Sequence, residues 1–238
     1  MNFSRHALSA LFLISGYLSG FSYSAPTFPF APGAGEPGST AVSADDPGIT
    51  DWATSVKSIN YGPGVAEEWR SSANALGPGG TSQSHIVVLG RGGEIVLEFD
   101  SGITDGPGND FVVFENAFRN TFLELAYVDV STDGEHFVRF PSYSLTANPV
   151  PAFGDVFPTF VHGLAGKYRY GYGTPFDLEI LQQAFSAAER GEGGFSESYK
   201  THLLENAPMV DLSSVRFVRI VDVLGDGSQF DSEGFPIY

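Results

Sequence analysis

The chain contains no cysteine among its 238 residues, which excludes a disulfide framework, a cysteine-linked lipid anchor and catalysis by a thiol. Lys and Arg number only 12 against 28 Asp and Glu, and the net charge of −16 argues against nucleic acid as a partner. No apolar run reaches the roughly 20 residues of a membrane span. The local serine-hydrolase signature Gly-x-Ser-x-Gly is also absent. What remains is an acidic protein stabilised by its core and by any cations it binds.

The N-terminal residues 1–24 have the pattern of a signal peptide. A short positive segment at Arg5 and His6 precedes a mostly apolar run, 8–18, and small residues then lead to a cleavage site before Ala25. We therefore expect an exported protein that is secreted, periplasmic or displayed at the cell surface. Its mature chain is expected to have no transmembrane span.

The remaining composition predicts one domain with many short strands. Gly 29, Pro 15 and Phe 21 are typical of turn-rich β-proteins. Residues 25–49 are interpreted as a Pro/Gly/Ser-rich linker, and 50–238 as the domain. Within it, 149–208 is a long insertion with a helix, which Thr174 caps and Gly191 ends. The chain stops in a loop after its last strand, so we expect a C-terminal truncation or an edge strand supplied from elsewhere.

Short apolar runs predict the strands of an antiparallel sheet. Alternation of apolar and polar residues and flanking Gly or Asp-Gly turns are the signals used. The runs 85–89 and 94–99 are interpreted as a hairpin across the turn 90–93. The runs 123–130 and 136–140 are interpreted as a hairpin across Asp133-Gly134. The predicted strands are 85–89, 94–99, 111–114, 123–130, 136–140 and 215–223. The fold class expected is an all-β antiparallel β-sandwich of jelly-roll type with one helical insertion.

Acidic and amide side chains on the predicted loops suggest a calcium site. Ca²⁺ binds six to eight oxygen atoms from carboxylates, amides and backbone carbonyls. The residues selected as cation ligands are Asp105, Asp110, Glu115, Asp222 and Asp226. Asn109, Asn116, Ser228 and Asp231 are nearby in sequence and extend the two clusters. Their spacing is not that of an EF-hand, and the alternative is that the Asp-Gly pairs only form turns.

Three tyrosines, Tyr168, Tyr170 and Tyr172, alternate in the run KYRYGYG. In an extended segment they would lie on one side, where their rings could stack on the faces of sugars. They are the predicted ligand-binding residues, for a glycan or another small polar ligand. The alternative is a rigid loop whose tyrosines pack on the sandwich.

Two other functions stay open at this point. A nutrient-capture protein that serves an outer-membrane transporter would need a deeper apolar pocket. An extracellular polysaccharide hydrolase would need two facing carboxyl groups about 5–9 Å apart, and Glu115 with Glu124 is the pair considered. The histidines are scattered and offer no zinc motif.

Five motifs occur in one order along the chain: ANALGP at 73–78, VVLGRGG at 87–93, DFVVFEN at 110–116, VSTDG at 130–134 and VRIVD at 218–222. In this order they resemble a group of uncharacterised bacterial cell-surface proteins, and the resemblance covers roughly Trp52–Tyr238. The domain of that group is similar to galactose-binding-like jelly rolls, such as discoidin and carbohydrate-binding modules. The resemblance implies an extracellular β-sandwich, often with a structural calcium. We therefore expect a calcium-stabilised binding module at the cell surface, without enzymatic activity.

Overall fold

The structure is a computed structural model that describes residues 22–79, 85–151 and 154–238. The predicted signal peptide, 1–24, lies outside the described residues except for its last three. One of these, Tyr23, places its ring 5.0 Å from that of Phe195 and forms a hydrogen bond with the Tyr143 hydroxyl. In the described ranges, no helix has the length and hydropathy that crossing a bilayer would require.

The described part of the chain is mostly β, with few helices and with antiparallel sheets, an arrangement consistent with a β-sandwich. The strands are β1 (Val42–Ser43), β2 (Ser55–Asn60), β3 (Glu94–Ile103), β4 (Phe111–Phe114), β5 (Ala126–Ser131), β6 (Val138–Arg139), β7 (Tyr143–Ser144), β8 (Val161–His162), β9 (Tyr172–Phe176) and β10 (Val215–Asp222). One sheet has five strands in the order β2-β3-β10-β5-β6, a second has β1-β9-β4, and a third has β7-β8. The helices are α1 (Glu179–Glu189) and α2 (Glu197–Asn206).

The main apolar cluster lies between the two larger sheets. The alternate residues Ala126, Val128 and Val130 of β5 belong to it, together with Val113 of β4 and Phe176 of β9. Side chains alternate in direction along a strand, so these three residues share one face of the five-stranded sheet. That face is therefore the inner one.

The other face of the same sheet carries a buried acid. Asp129 of β5 is fully buried and accepts hydrogen bonds from Arg139 Nε at 2.7 Å and Arg219 Nε at 2.8 Å. The Arg139 guanidinium lies 4.0 Å from the ring centre of Tyr127, and that of Arg219 lies 4.3 Å from that of Phe137. The negative charge of Asp129 is thus neutralised by ion pairs with two arginines, and each arginine also makes a cation–π contact with an aromatic ring.

Helix α1 begins later than its sequence signals predict. Thr174, the predicted cap, and the next residue, Pro175, lie in β9 opposite Val113 and Val112. Because these two residues belong to a strand that pairs with β4, the helix begins only at Glu179. Its end agrees with the prediction, because Gly191 follows the helix with a φ of 67°.

Helix α2 was not predicted, because its sequence has a weak apolar stripe. The Ser196 side chain caps it by accepting a hydrogen bond from the Tyr199 amide. Tyr199 Oη donates to the carbonyl of Arg139 at 2.7 Å, and His202 Nε2 accepts from the amide of Arg139 at 3.0 Å. The helix therefore protects β6, the edge strand of the five-stranded sheet.

The segment 25–49 is part of the domain and not a free linker. Its residues 42–43 form β1, which pairs with β9, and Phe30 and Ala34 are buried. The hydroxyl groups of Thr40 and Tyr168 lie 2.7 Å apart. Composition predicted a linker because Pro and Gly are also abundant in irregular chain that packs on a sheet.

The predicted hairpin between 85–89 and 94–99 is wrong. Strand β3 pairs with β2 and β10, and 85–89 forms no strand. The amide of Val88 donates to the carbonyl of Trp69, and the Leu89 carbonyl accepts from the amide of Gly62. The turn itself is present, since the Gly93 amide donates to the Gly90 carbonyl at 2.9 Å.

Candidate functional site

A cavity of about 1030 Å³ lies between the inner face of the five-stranded sheet and β4. Most of its walls are apolar side chains. Strand β3 contributes Ile95, Leu97 and Phe99, and β10 contributes Val218 and Ile220. The aromatic residues along it also include Trp52, Phe111, Phe114, Phe122, Tyr170 and Tyr238. Its size is at the upper end of the range of small-molecule pockets.

Three carboxyl groups gather at one end of this cavity because of strand register. Strands β5 and β10 are antiparallel, and Asp222 lies opposite Ala126. Glu124, two residues before Ala126, is therefore close to the end of β10. Glu115 follows the last residue of β4 and comes from the other sheet. All three acids line the cavity.

Glu115 and Glu124 form a hydrogen-bonded carboxyl pair. Burial raises the pKa of Glu115 to about 8, and the charge of Glu124 and their shared hydrogen bond act in the same direction. The Ala117 amide donates to Glu115 Oε2 at 2.7 Å, which opposes this rise only in part. Burial and the neighbouring Glu124 thus favour the protonated form of Glu115 at neutral pH.

Asp222 borders this pair. Its Oδ2 accepts a hydrogen bond from the Gly92 amide at 2.8 Å. Burial raises the pKa of Asp222, the Gly92 amide and the positive charge of Arg91 lower it, and the charge of Glu124 raises it. The guanidinium of Arg91 lies 3.4 Å from Asp226, which is on an exposed turn. Arg91, which also lines the cavity, is thus shared between Asp222 and Asp226.

A second acidic group lies at the opposite end of β4. Asp105, Asp110 and Asp177 each place a carboxylate oxygen within 4.8 Å of the others. Antiparallel pairing of β4 with β9 explains this, because Asp110 precedes β4 and Asp177 follows β9. Asp110 Oδ1 accepts from the Gly106 amide and its Oδ2 accepts from the Leu178 amide. The group therefore ties a loop to the start of α1.

The five acids predicted as cation ligands do not form one site. Asp105 and Asp110 lie together, but five residues of extended chain, about 16 Å, separate Asp110 from Glu115. Asp222 borders the Glu115 pair, and Asp226 instead accepts from the Ser228 amide and hydroxyl. Asp177, which is not among the predicted ligands, completes the group at the start of β4.

Two other acids that the sequence analysis considered, Asp231 and Asp133, have structural roles. Asp231 Oδ2 accepts from the Ser144 amide at 3.1 Å, and its Oδ1 accepts from the amides of Glu233 and Phe235. Asp133 accepts from the amides of Glu135 and His136, which is the turn role that its Asp-Gly pair indicated.

The three tyrosines do not share one exposed face. Tyr168 is buried, and its hydroxyl bonds with Thr40. Tyr170 lines the cavity, and Tyr172 lies in β9 with the Arg169 guanidinium 4.6 Å from its ring centre. The segment before β9 is a turn and not extended chain, so the alternation expected from the sequence does not arise. Tyr170 is the one placed to contact a molecule in the cavity.

Comparison with models of protein families, with curated proteins and with solved structures finds no match. The site is therefore interpreted from its own geometry. The sequence offered Glu115 and Glu124 as a candidate carboxyl pair, with Glu115 directly after the predicted strand 111–114 and Glu124 near the start of the predicted strand 123–130. The contribution of Asp222 depends on the register of β10 against β5, which no local pattern contains.

Proposed function

We propose that this protein binds an amphiphilic small molecule in the cavity between its sheets. The observation that carries the proposal is the cavity of about 1030 Å³ with apolar walls and a carboxyl pair at one end. Pockets of this kind bury the apolar body of a ligand and orient it with a few polar groups. Among the functions considered from the sequence, this is closest to a capture protein.

The geometry favours this function over the two others. A glycan-binding face would need exposed aromatic rings on one surface, but Tyr168 is buried and Tyr170 faces the cavity. A glycosidase needs its two carboxyl groups about 5 Å apart or more, whereas Glu115 and Glu124 form a direct hydrogen bond. The pair leaves no room for a glycosidic bond between its members.

The test uses N-phenyl-1-naphthylamine, a neutral probe that fluoresces in apolar surroundings. We expect saturable binding by the mature chain. Ala75 lines the cavity, and Ala66 is exposed on the neighbouring loop. Ala75→Trp fills part of the cavity and is expected to weaken probe binding at least about fivefold, whereas the matched Ala66→Trp leaves it unchanged. Absence of saturable binding, or equal behaviour of the two variants, would contradict the proposal.

Export and the finer fold assignment belong to the same proposal. A signal peptide at 1–24 would send the protein out of the cytoplasm, where a capture function is useful. A jelly roll of galactose-binding-like type is compatible with the pairing of β10 with β3 and β5, because jelly rolls also pair strands that are distant in sequence through long connections.

We also propose that Ca²⁺ stabilises the loop before β4. Its ligands would be Asp105, Asp110 and Asp177, whose oxygen atoms lie within 4.8 Å of one another. Burial raises the pKa of Asp105, and the charges of Asp110 and Glu179 raise it further. A bound cation would relieve this repulsion.

A further inference from the structure

We propose that the ligand of the cavity carries a protonated amine, and that Glu115 and Glu124 hold this ammonium group while the apolar body lies along the sheets. The inference rests on the small-molecule function proposed above and specifies the chemical class of its ligand. It assigns to the carboxyl pair the role of recognising charge.

The carboxyl pair has the acceptors that an ammonium group requires. Glu115 forms a hydrogen bond with Glu124, and one oxygen of Glu115 also accepts from the Ala117 amide. An ammonium group has three donors and a full positive charge. It can therefore replace the proton of Glu115 and donate to oxygen atoms of both carboxyl groups.

The charges that line the cavity also favour a cation. Among the described residues its acids outnumber its bases, and the Arg91 guanidinium is engaged by Asp226 at 3.4 Å. The acids are Asp46, Asp51, Asp110, Glu115, Glu124 and Asp222, and the basic side chains are Arg91 and His85. An amphiphile with a carboxylate head would meet repulsion at the end where the acids gather.

An organic cation fits this end of the cavity better than a metal ion. Among the described residues, the trio of acids whose oxygen atoms are close enough to share one ion is Asp105, Asp110 and Asp177. Glu115, Glu124 and Asp222 are spread more widely, as the larger radius of an alkylammonium group allows. The residues Ile95 and Leu97 of β3 and Val218 and Ile220 of β10 that line the cavity are apolar and offer no oxygen ligands.

Binding of an ammonium ligand must release the proton of Glu115, so its affinity rises with pH. Glu115 comes from the end of β4 and is faced by Glu124 before β5, and the charges of Glu124 and Arg91 both act on Asp222 of β10. Burial and the charge of Glu124 raise the pKa of Glu115 to about 8. Below this pH Glu115 keeps its proton, which competes with the ligand.

The experiment measures displacement of N-phenyl-1-naphthylamine by three amphiphiles with one chain length: decylamine, 1-decanol and decanoate. At pH 8 we expect decylamine to act at a concentration at least about tenfold below the other two. Lowering the pH to 5.5 should reduce this advantage severalfold. Glu115→Gln should remove it, and Glu189→Gln, which deletes an exposed charge on α1, should retain it.

The outcomes separate this inference from the function on which it rests. Equal displacement by the three head groups overturns the ammonium inference but leaves a binding cavity. An amine preference that Glu115→Gln leaves intact reflects the net charge of the protein and overturns it as well. If the probe does not bind to the wild-type chain, the proposed function itself fails. Probe binding by Glu115→Gln shows that the variant is folded.

Discussion

Glu115 carries a proton at neutral pH that its unfolded counterpart would release. Its pKa is raised from 4.5 to about 8, by burial first and then by Glu124. Between these two pH values the folded chain holds more protons than the unfolded chain, so its stability falls as the pH rises. A buried acid that lowers stability at neutral pH is typical of a functional site.

Glu115→Gln is expected to stabilise the protein in a pH-dependent way. The amide stays neutral, so the variant avoids the loss that the wild type suffers between pH 4.5 and 8. We expect its free energy of unfolding to exceed that of the wild type by about 4 kcal/mol at pH 8 and by little at pH 4.5. Urea unfolding at both pH values measures this. An equal difference at both would show that Glu115 does not titrate in this range.

Asp105→Asn tests the proposed calcium site. Millimolar Ca²⁺ is expected to raise the melting temperature of the wild type by about 3 °C or more relative to EGTA. The variant should lose this shift, and in EGTA it should melt at the same temperature or higher, because a repulsive charge is gone. Asp226→Asn serves as the control, since Asp226 lies on another loop. If Ca²⁺ does not raise the melting temperature of the wild type, the calcium proposal is contradicted, and these acids only connect the loop to the start of α1 by hydrogen bonds.

At the scale of elements, the five-stranded sheet depends on the buried charge of Asp129 in β5. Burial raises the pKa of this carboxyl, but Arg139 and Arg219 more than offset that effect and hold the pKa below its usual range. Its ionised form is thus present throughout the physiological range. The ionised carboxylate of Asp129 stabilises the folded state. This stabilisation is lost as the pH falls through the pKa of Asp129, which lies below the ordinary value of 3.8.

Asp129→Asn is expected to destabilise the protein by about 3 kcal/mol, because two arginines would lose their partner. Glu98→Gln provides a matched comparison. Glu98 pairs with Arg216 on the same sheet at 3.1 Å, but both side chains are partly exposed, so we expect a loss of only about 0.5 kcal/mol. Urea unfolding of the two variants at pH 7 compares them directly. Similar losses would mean that the arginines find other partners.

Helix α2 covers β6, the edge strand of the five-stranded sheet. Helix α2 bonds to both backbone groups of Arg139 in β6, through Tyr199 and His202. His202 can accept this hydrogen bond only in its neutral form, and burial lowers its pKa accordingly. A helix with little apolar character is thus placed by polar contacts, which explains why its apolar periodicity did not predict it.

At the scale of the whole molecule, the two acidic groups have a common origin. Each forms where one strand begins beside the end of its antiparallel neighbour: Asp110 with Asp177 at β4 and β9, and Glu124 with Asp222 at β5 and β10. The ends of strands carry polar residues because chain turns there meet solvent. Pairing then brings residues together that are about 70 to 100 positions apart in sequence.

Local patterns in the sequence were sufficient to predict β4, β5, β10 and the body of α1. Alternation along a strand, turn chemistry at Asp133 and helical spacing before Gly191 act over a few residues, so they can be recognised without a fold. The antiparallel mainly β class followed from them. They also offered Glu115 and Glu124 as a carboxyl pair for a hydrolase, without indicating that Asp222 would lie near Glu124.

Tertiary structure decided which of these acids act together and what surrounds them. Strand register placed Glu124 beside Asp222 and moved Asp105 and Asp110 away from Glu115. Packing of the two sheets left the cavity, and the segment 25–49, which composition classed as a linker, closed against the domain. Register and sheet separation are long-range properties, set by the balance of burial over the whole chain. A site made by them cannot be predicted from neighbouring residues.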